Sequence, residues 1–145
     1  MTAVTLWKNK GERLVDPYLF SRTANELAKK IHEDGLETYW DKKKNCQKSR
    51  EKWNSSSQLR RFFDEITRLN IKAQSNVEPW ELIMPQVHMM VAKVAYAKGR
   101  DLVTDSFVSL FGDTIRDQVQ DKDDLQTFTS FFETFIGFYK SYRKK

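Results

Sequence analysis

Residues 125–142 read Leu-Gln-Thr-Phe-Thr-Ser-Phe-Phe-Glu-Thr-Phe-Ile-Gly-Phe-Tyr-Lys-Ser-Tyr. Leu125, Phe128, Phe132, Phe135, Tyr139 and Tyr142 recur at three- and four-residue steps, which places them on one stripe of an α-helix. Phe131, Ile136 and Phe138 widen that stripe. A face this broad exceeds what one neighbouring helix covers, so the segment is expected at the centre of a helical bundle or against another protein. Its aromatics could stack on bases, but side chains at this spacing are far more often core. Asp121 to Asp124, just before it, reads as a solvated turn that caps the helix; it lacks the closing Glu of a calcium loop.

Working back along the chain, Asp101–Gln120 predicts a helix with Leu102, Val103, Phe107, Leu110, Phe111 and Ile115 available to the core, weakened modestly by Gly112. Before it, Pro79 can open a short helical turn and Pro85 starts or kinks a helix that ends at Lys98, capped by Gly99. Val87, Met90, Val91 and Val94 form its buried stripe. Met89, Lys93, Tyr96 and Arg100 share another face. Ser55 with Gln58 predicts a capping box, and the helix after it buries Leu59, Phe62, Phe63, Ile66 and Leu69 while Arg61, Arg68 and Lys72 lie opposite. An Asp16-Pro17 start predicts a first helix with Phe20, Ala24, Leu27 and Ile31 inside and Gly35 as its cap. Leu36–Trp53, rich in Lys and aromatics, fits either a helix or a loop that a partner orders. Gly and Pro are scarce and alternating strand patterns with paired turn signals are absent. The expectation is an all-α fold, a compact bundle of five to six helices in one domain over residues 1–145, with 1–15 as an N-terminal arm.

A chain of 145 residues suffices for one hydrophobic core, and 39% hydrophobic with 31% charged residues is a globular balance. No apolar run is long enough for a membrane span, Met1–Lys10 lacks a secretory leader, and the lone Cys46 has no partner for an internal disulfide. These point to a reducing cytoplasm. The net charge of +5 is unevenly spread. Residues 40–61 hold eight Lys/Arg against two acids, +6, and residues 101–139 hold two bases against eight acids, −6. Such a layout suits a polyanion on one side or copies docked head to tail; its plainer alternative is solvated surface charge.

No catalytic constellation is visible. His32 and His88 stand apart without a Cys or acid at zinc spacing. Cys46 has Lys44 and Lys48 beside it but no nearby His. No Gly-rich loop is followed by Lys-Ser/Thr. Neither enzyme activity, metal nor cofactor is expected. What remains is binding: Lys42, Lys43, Lys44, Lys48, Arg50, Lys52, Arg60 and Arg61 interleave with Trp40 and Trp53, and Lys93 and Arg100 flank Tyr96. Basic residues mixed with aromatics fit a nucleic-acid surface. Helix-face pairs such as Arg60–Asp64 and Arg61–Glu65 are the competing explanation.

Three blocks carry a family resemblance: Ser55-Ser-Ser-Gln-Leu-Arg-Arg-Phe-Phe-Asp-Glu-Ile66, Lys93-Val-Ala-Tyr-Ala-Lys-Gly-Arg100 and Phe128-Thr-Ser-Phe-Phe-Glu-Thr-Phe-Ile-Gly-Phe-Tyr-Lys140. In order and spacing, over residues 54–142, they resemble the small subunit of the type III-A (Csm-type) CRISPR effector complex. Gly137-Phe138 departs from the lead-in expected before the last Lys. The resemblance implies a catalytically silent protein of the prokaryotic cytoplasm. Several copies would line up as a filament along the guide RNA and target RNA, beside backbone subunits and a large polymerase-like subunit. It assigns RNA contact to Arg60 and Arg100. Lys52, Arg61 and Lys93 join them on local chemistry, while Glu133 and Lys140 are read as structural or subunit-facing. The alternatives are the type III-B small subunit, or a helical protein-interaction adaptor without nucleic acid.

Overall fold

The phenylalanine-rich segment is a helix, α6 (Lys122–Tyr142), and the rest of the chain is arranged around it. This computed structural model describes residues 4–144; residues 1–3 of the expected arm, and Lys145, lie outside the described residues. Asp121 caps α6 reciprocally: its carboxylate accepts from Asp124 N–H at 2.8 Å, and that of Asp124 accepts from Asp121 N–H at 3.2 Å. The cap is not solvated as expected, because Asp124 is completely buried. Leu125, Phe128, Phe131, Phe132 and Phe135 are fully inside, and Tyr139 nearly so. Their rings form a ladder: Phe132 lies 5.2 Å from Phe111 and 5.4 Å from Phe135, and Phe135 lies 5.6 Å from Tyr139. The wide apolar face is therefore covered within the chain, by α1 (Ala24–Asp34) and α2 (Ser56–Gln74) packed along it.

α2 starts where the sequence places it. Ser55 Oγ accepts from Gln58 N–H at 3.3 Å, and Leu59, Phe62, Ile66 and Leu69 are buried. α3 (Trp80–Gly99) corrects the reading of the two prolines. Pro79 is its N-cap, with φ −65 and ψ 150, and Pro85 lies inside the helix without ending it. The cap at the far end is also displaced: Gly99 is helical, and the left-handed residue is Asp101 at φ 62. For this reason the helix expected to begin at Asp101 starts later. It is a rod of α4 (Asp105–Phe107), a π-helical stretch (Val108–Asp113) and α5 (Thr114–Gln118). Gly112 does more than weaken the rod. A Cβ there would meet Val94 Cγ1 at 2.9 Å, so its absence lets the rod lie against α3.

The first helix likewise begins with a π-helical turn, Leu19–Thr23, ahead of α1. This turn shifts the phase of the stripe. Leu19 is buried where Phe20 was expected, and Phe20 is largely exposed.

The all-α expectation is overturned: among the described residues the fold is mainly helical but carries two small antiparallel ribbons. β1 (Trp7–Asn9) pairs with β2 (Leu14–Val15) in the N-terminal arm. The unsettled segment 36–53 is a hairpin, β3 (Leu36–Asp41) and β4 (Cys46–Glu51), in continuous register from Leu36↔Glu51 to Asp41↔Cys46. Neither a helix nor a loop that needs a partner to order it forms there. The turn is built from Asp41, whose Oδ1 accepts from the N–H groups of Lys43 and Lys44 at 2.9 and 3.2 Å, and from left-handed Asn45 at φ 52.

At its base the hairpin meets the body through close backbone approach. Gly35 O accepts from Lys52 and Trp53 N–H, both at 2.9 Å, and a Cβ on Gly35 would sit 2.6 Å from Trp53 O. Asn54 then turns the chain, at φ 59, in complete burial. Its amide donates to Ile31 O at 3.1 Å and Thr104 Oγ1 at 2.9 Å, and its Oδ1 accepts from Thr104 N–H at 2.9 Å. One asparagine thus holds the end of α1, the start of α2 and the loop before α4 together.

Candidate nucleic-acid interface

α2 and α3 run side by side, and the space between them is an open groove of about 480 Å³. Arg61 projects into it from α2, away from that helix's buried stripe. Lys93, Tyr96 and Arg100 line it from α3 at steps of three and four residues, so one helix face delivers all three. The structure therefore brings together three of the five residues singled out for RNA contact.

The ion pairs around the groove decide which cations are available. Arg60 pairs with Asp64 at 3.3 Å, as helix spacing suggests. The matching Arg61–Glu65 pair does not form, because Glu65 bonds Arg68 instead. The Arg68 hydrogen bond holds the Glu65 carboxyl below the usual range; burial opposes this, and Lys93 and Lys72 add to it from a distance. Arg61, Lys93 and Arg100 are left exposed, with no ion-pair partner among the described residues. The Arg100 guanidinium lies 5.8 Å from the centre of the Tyr96 ring, and Tyr96 is itself 68% exposed.

The other two sequence candidates lie elsewhere. Arg60 is on a neighbouring face of α2, beside a smaller pocket of about 250 Å³ with Ser56, Ser57, Ile136 and Lys140. Lys140 is next to Arg60 only because α2 packs on α6, a proximity that one-dimensional spacing does not carry. Lys52 belongs to the hairpin base, with Nζ 3.3 Å from Glu37 and 4.6 Å from the centre of the Trp53 ring. Gln58 and Leu102 line the groove and were not singled out.

The acidic segment 101–139 is largely neutralised within the chain. Lys10 reaches Asp124 at 2.7 Å and Asp121 at 3.1 Å, Arg13 pairs with Asp123, and Arg116 holds Asp113 and Asp117 at 3.1 and 2.8 Å. Asp105 lies 3.8 Å from Lys98, and Asp101 and Glu133 remain exposed with no ion pair among the described residues. The segment totals of +6 and −6 therefore overstate the polarity of the folded surface.

The residues weighed for chemistry have structural surroundings. His88 Nε2 is 2.8 Å from Val119 O, and His32 packs against Tyr139 and Tyr142. Cys46 is exposed at the start of β4. Burial pushes the Tyr139 phenol up to about 12, so it stays protonated and donates to Asn54 O at 2.6 Å. Among the described residues no group of three or more His, Cys, Asp or Glu could hold a metal ion, and no helix is long and apolar enough to cross a membrane.

No curated protein and no solved structure matches the chain significantly. A family model does: Csm2 Type III-A, over residues 42–145. The match spans β4, the hairpin turn, both walls of the groove and all of α6. The chain accordingly belongs to the Csm2 type III-A family and is a small subunit of a type III-A CRISPR effector complex, in which it works with other subunits.

Proposed function

We propose that this subunit is non-catalytic and that it lines the duplex of guide RNA and target RNA, laying the sugar–phosphate backbone along the α2–α3 groove. The observation that carries the reading is the convergence of Arg61, Lys93 and Arg100 from two helices on one open groove, with no ion-pair partner among the described residues; Glu65 lines the same groove but is held by Arg68. Each guanidinium can bond a phosphate through two N–H groups, and Lys93 adds a point charge. No pocket of this groove selects a base, which suits a complex whose sequence specificity comes from guide pairing. Arg60 and Lys52 are secondary contacts in this reading, since each already holds an acid of its own.

The partners are the two RNAs, the backbone subunits and the large polymerase-like subunit, with copies of this chain following one another along the duplex in the prokaryotic cytoplasm. Contact between copies depends less on charge than segment totals suggest, because Lys10, Arg13 and Arg116 already occupy most of the acids.

The test is a salt titration of two unrelated RNA duplexes with the parent chain and Arg61→Ala/Arg100→Ala. Affinity should fall almost equally for both duplexes, and the slope of log affinity against log salt should become shallower by roughly one unit per lost phosphate contact. An unchanged slope would place the duplex on another face.

A further inference from the structure

The β3–β4 hairpin is not used by the groove. Neither strand has a buried residue, and none of its apolar side chains joins the core. A two-stranded ribbon without core contact is marginal by itself, so its side chains answer to something other than packing.

The two faces of the ribbon differ. On one, Lys48 pairs with Asp41 at 3.2 Å, Arg50 with Glu37 at 2.9 Å, and Lys52 with Glu37 at 3.3 Å, so both acids are occupied. On the other, Trp40 stands opposite Gln47 and Thr38 opposite Ser49, without charge towards the tip; at the base of that face Glu51, opposite Leu36, is held by Arg143 at 3.4 Å. The Asp41 turn then projects Lys42, Lys43 and Lys44 into solvent, with no ion pair among the described residues.

Trp40 stands out among the tryptophans. Trp7 donates its indole N–H to Asp124 at 2.7 Å, Trp53 to Asp101 at 3.0 Å and Trp80 to Gln120 O at 3.0 Å. Trp40 has no such acceptor among the described residues and is 54% exposed. An open indole beside three lysines without ion pairs, on the part of the ribbon face that carries no charge, is the arrangement of a stacking platform with phosphate anchors.

We propose that the tip of this hairpin binds single-stranded RNA: Trp40 stacks on an unpaired base while Lys42, Lys43 and Lys44 hold the adjacent phosphates. A protein partner fits less well. Lysine is depleted from protein interfaces, and an anchoring Trp there sits amid apolar neighbours rather than Gln47, Thr38 and lysines. The inference rests on the chain being an RNA-binding subunit, but not on where the duplex lies.

The full chain is titrated with a labelled oligouridine single strand and, separately, with an RNA duplex, at several salt concentrations. Trp40→Ala should weaken single-strand binding by about tenfold, with Trp40→Phe recovering most of the loss. Lys42→Gln/Lys43→Gln/Lys44→Gln should make the single-strand salt slope shallower by roughly two units. Quenching of intrinsic fluorescence by oligouridine should diminish in Trp40→Phe, and duplex binding should stay as in the parent for all three variants. Parent-like single-strand affinity and slope in both tip variants overturn the proposal. Tip variants that keep single-strand affinity but drop out of the assembled complex overturn it too, in favour of protein docking. If Arg61→Ala/Arg100→Ala binds duplex as the parent does while tip variants lose the single strand, the groove reading fails and the hairpin stands. A parent chain that binds neither RNA overturns both.

Discussion

The two ribbons of this molecule hold their shape by opposite means. β1–β2 is short and irregular in register, yet the arm carrying it is moored to the body. Val4 and Leu6 are buried, and Trp7 Nε1 and Lys10 Nζ both reach the fully buried Asp124 at 2.7 Å. β3–β4 is longer and fully registered but touches the body chiefly at its base, through Gly35 and Asn54. The first ribbon borrows its order from tertiary contacts, and the second makes its own from cross-strand pairs. Substitutions should therefore separate into large effects at the moorings and small ones along the exposed ribbon.

The largest effect is expected at the base of the longer ribbon. Asn54→Ala leaves the buried Thr104 N–H without its acceptor, takes one of two donors from Ile31 O, and puts alanine, which tolerates the left-handed region less well than asparagine, at φ 59, for a loss of roughly 3 kcal/mol. Chemical denaturation measures it; a loss no larger than that of a tip variant would erase the distinction drawn above. Asp124→Asn tests the shorter ribbon. Lys10 loses the nearer of its two charge partners in the cap, keeping Asp121, and about 2 kcal/mol should go, with the arm becoming open to proteolysis before the helices unfold. If the arm stays protected, Val4 and Leu6 alone suffice to hold it.

Tyr139→Phe is a finer probe of the Asn54 junction. It removes the 2.6 Å bond to Asn54 O and keeps the ring ladder, so about 1 kcal/mol should be lost without a change in helix content.

The smallest effect is one of pH on the exposed ribbon. The Arg50 hydrogen bond holds Glu37 below its ordinary value, and that of Lys48 does the same for Asp41. A lowered carboxyl stabilises the fold above its unfolded pKa, near ~4, and that contribution is lost as pH falls through the lower folded value. Resonances of β3–β4 followed by NMR should therefore drift or broaden only below about pH 4, and Glu37→Gln should abolish the drift on its own strand pair.

How legible these regions were follows from the same contrast. α6 could be read because one face is buried and the other is not, which writes a helical period into Leu125, Phe128, Phe132 and Phe135. Burial writes a period of two into strands as well, but β3 and β4 bury neither face, so alternation was missing. The signals present were weaker ones: Thr38-Tyr39-Trp40 as β-formers, and Asp41 and Asn45 at turn positions. The groove was half legible. Lys93, Tyr96 and Arg100 share a face of one helix, which spacing reveals. That Arg61 stands across from them and Arg60 does not depends on how α2 meets α3 and α6, and on Glu65 choosing Arg68. Phe20 is misplaced by spacing for a related reason: a helix phase set by Leu19–Thr23 is not visible when residues are counted at 3.6 per turn.

The π-helical stretch Val108–Asp113 has a similar bearing on the opposite end of the molecule. A π-turn holds one residue more than the α-turn it replaces, so it works as a vernier between α4 and α5. Removing that one residue would give a regular α-helix and leave Thr114 and Gln118 on the faces they now present, whereas removing a second would rotate everything downstream by about 100°. Thr114 Oγ1 would then swing away from Val4 N–H, now 3.0 Å distant, and Gln118 Oε1 from Leu6 N–H at 2.9 Å. Length changes beyond that single residue are thus coupled to an arm more than a hundred residues earlier in the chain, and a homologue that carries one would have to re-anchor the other.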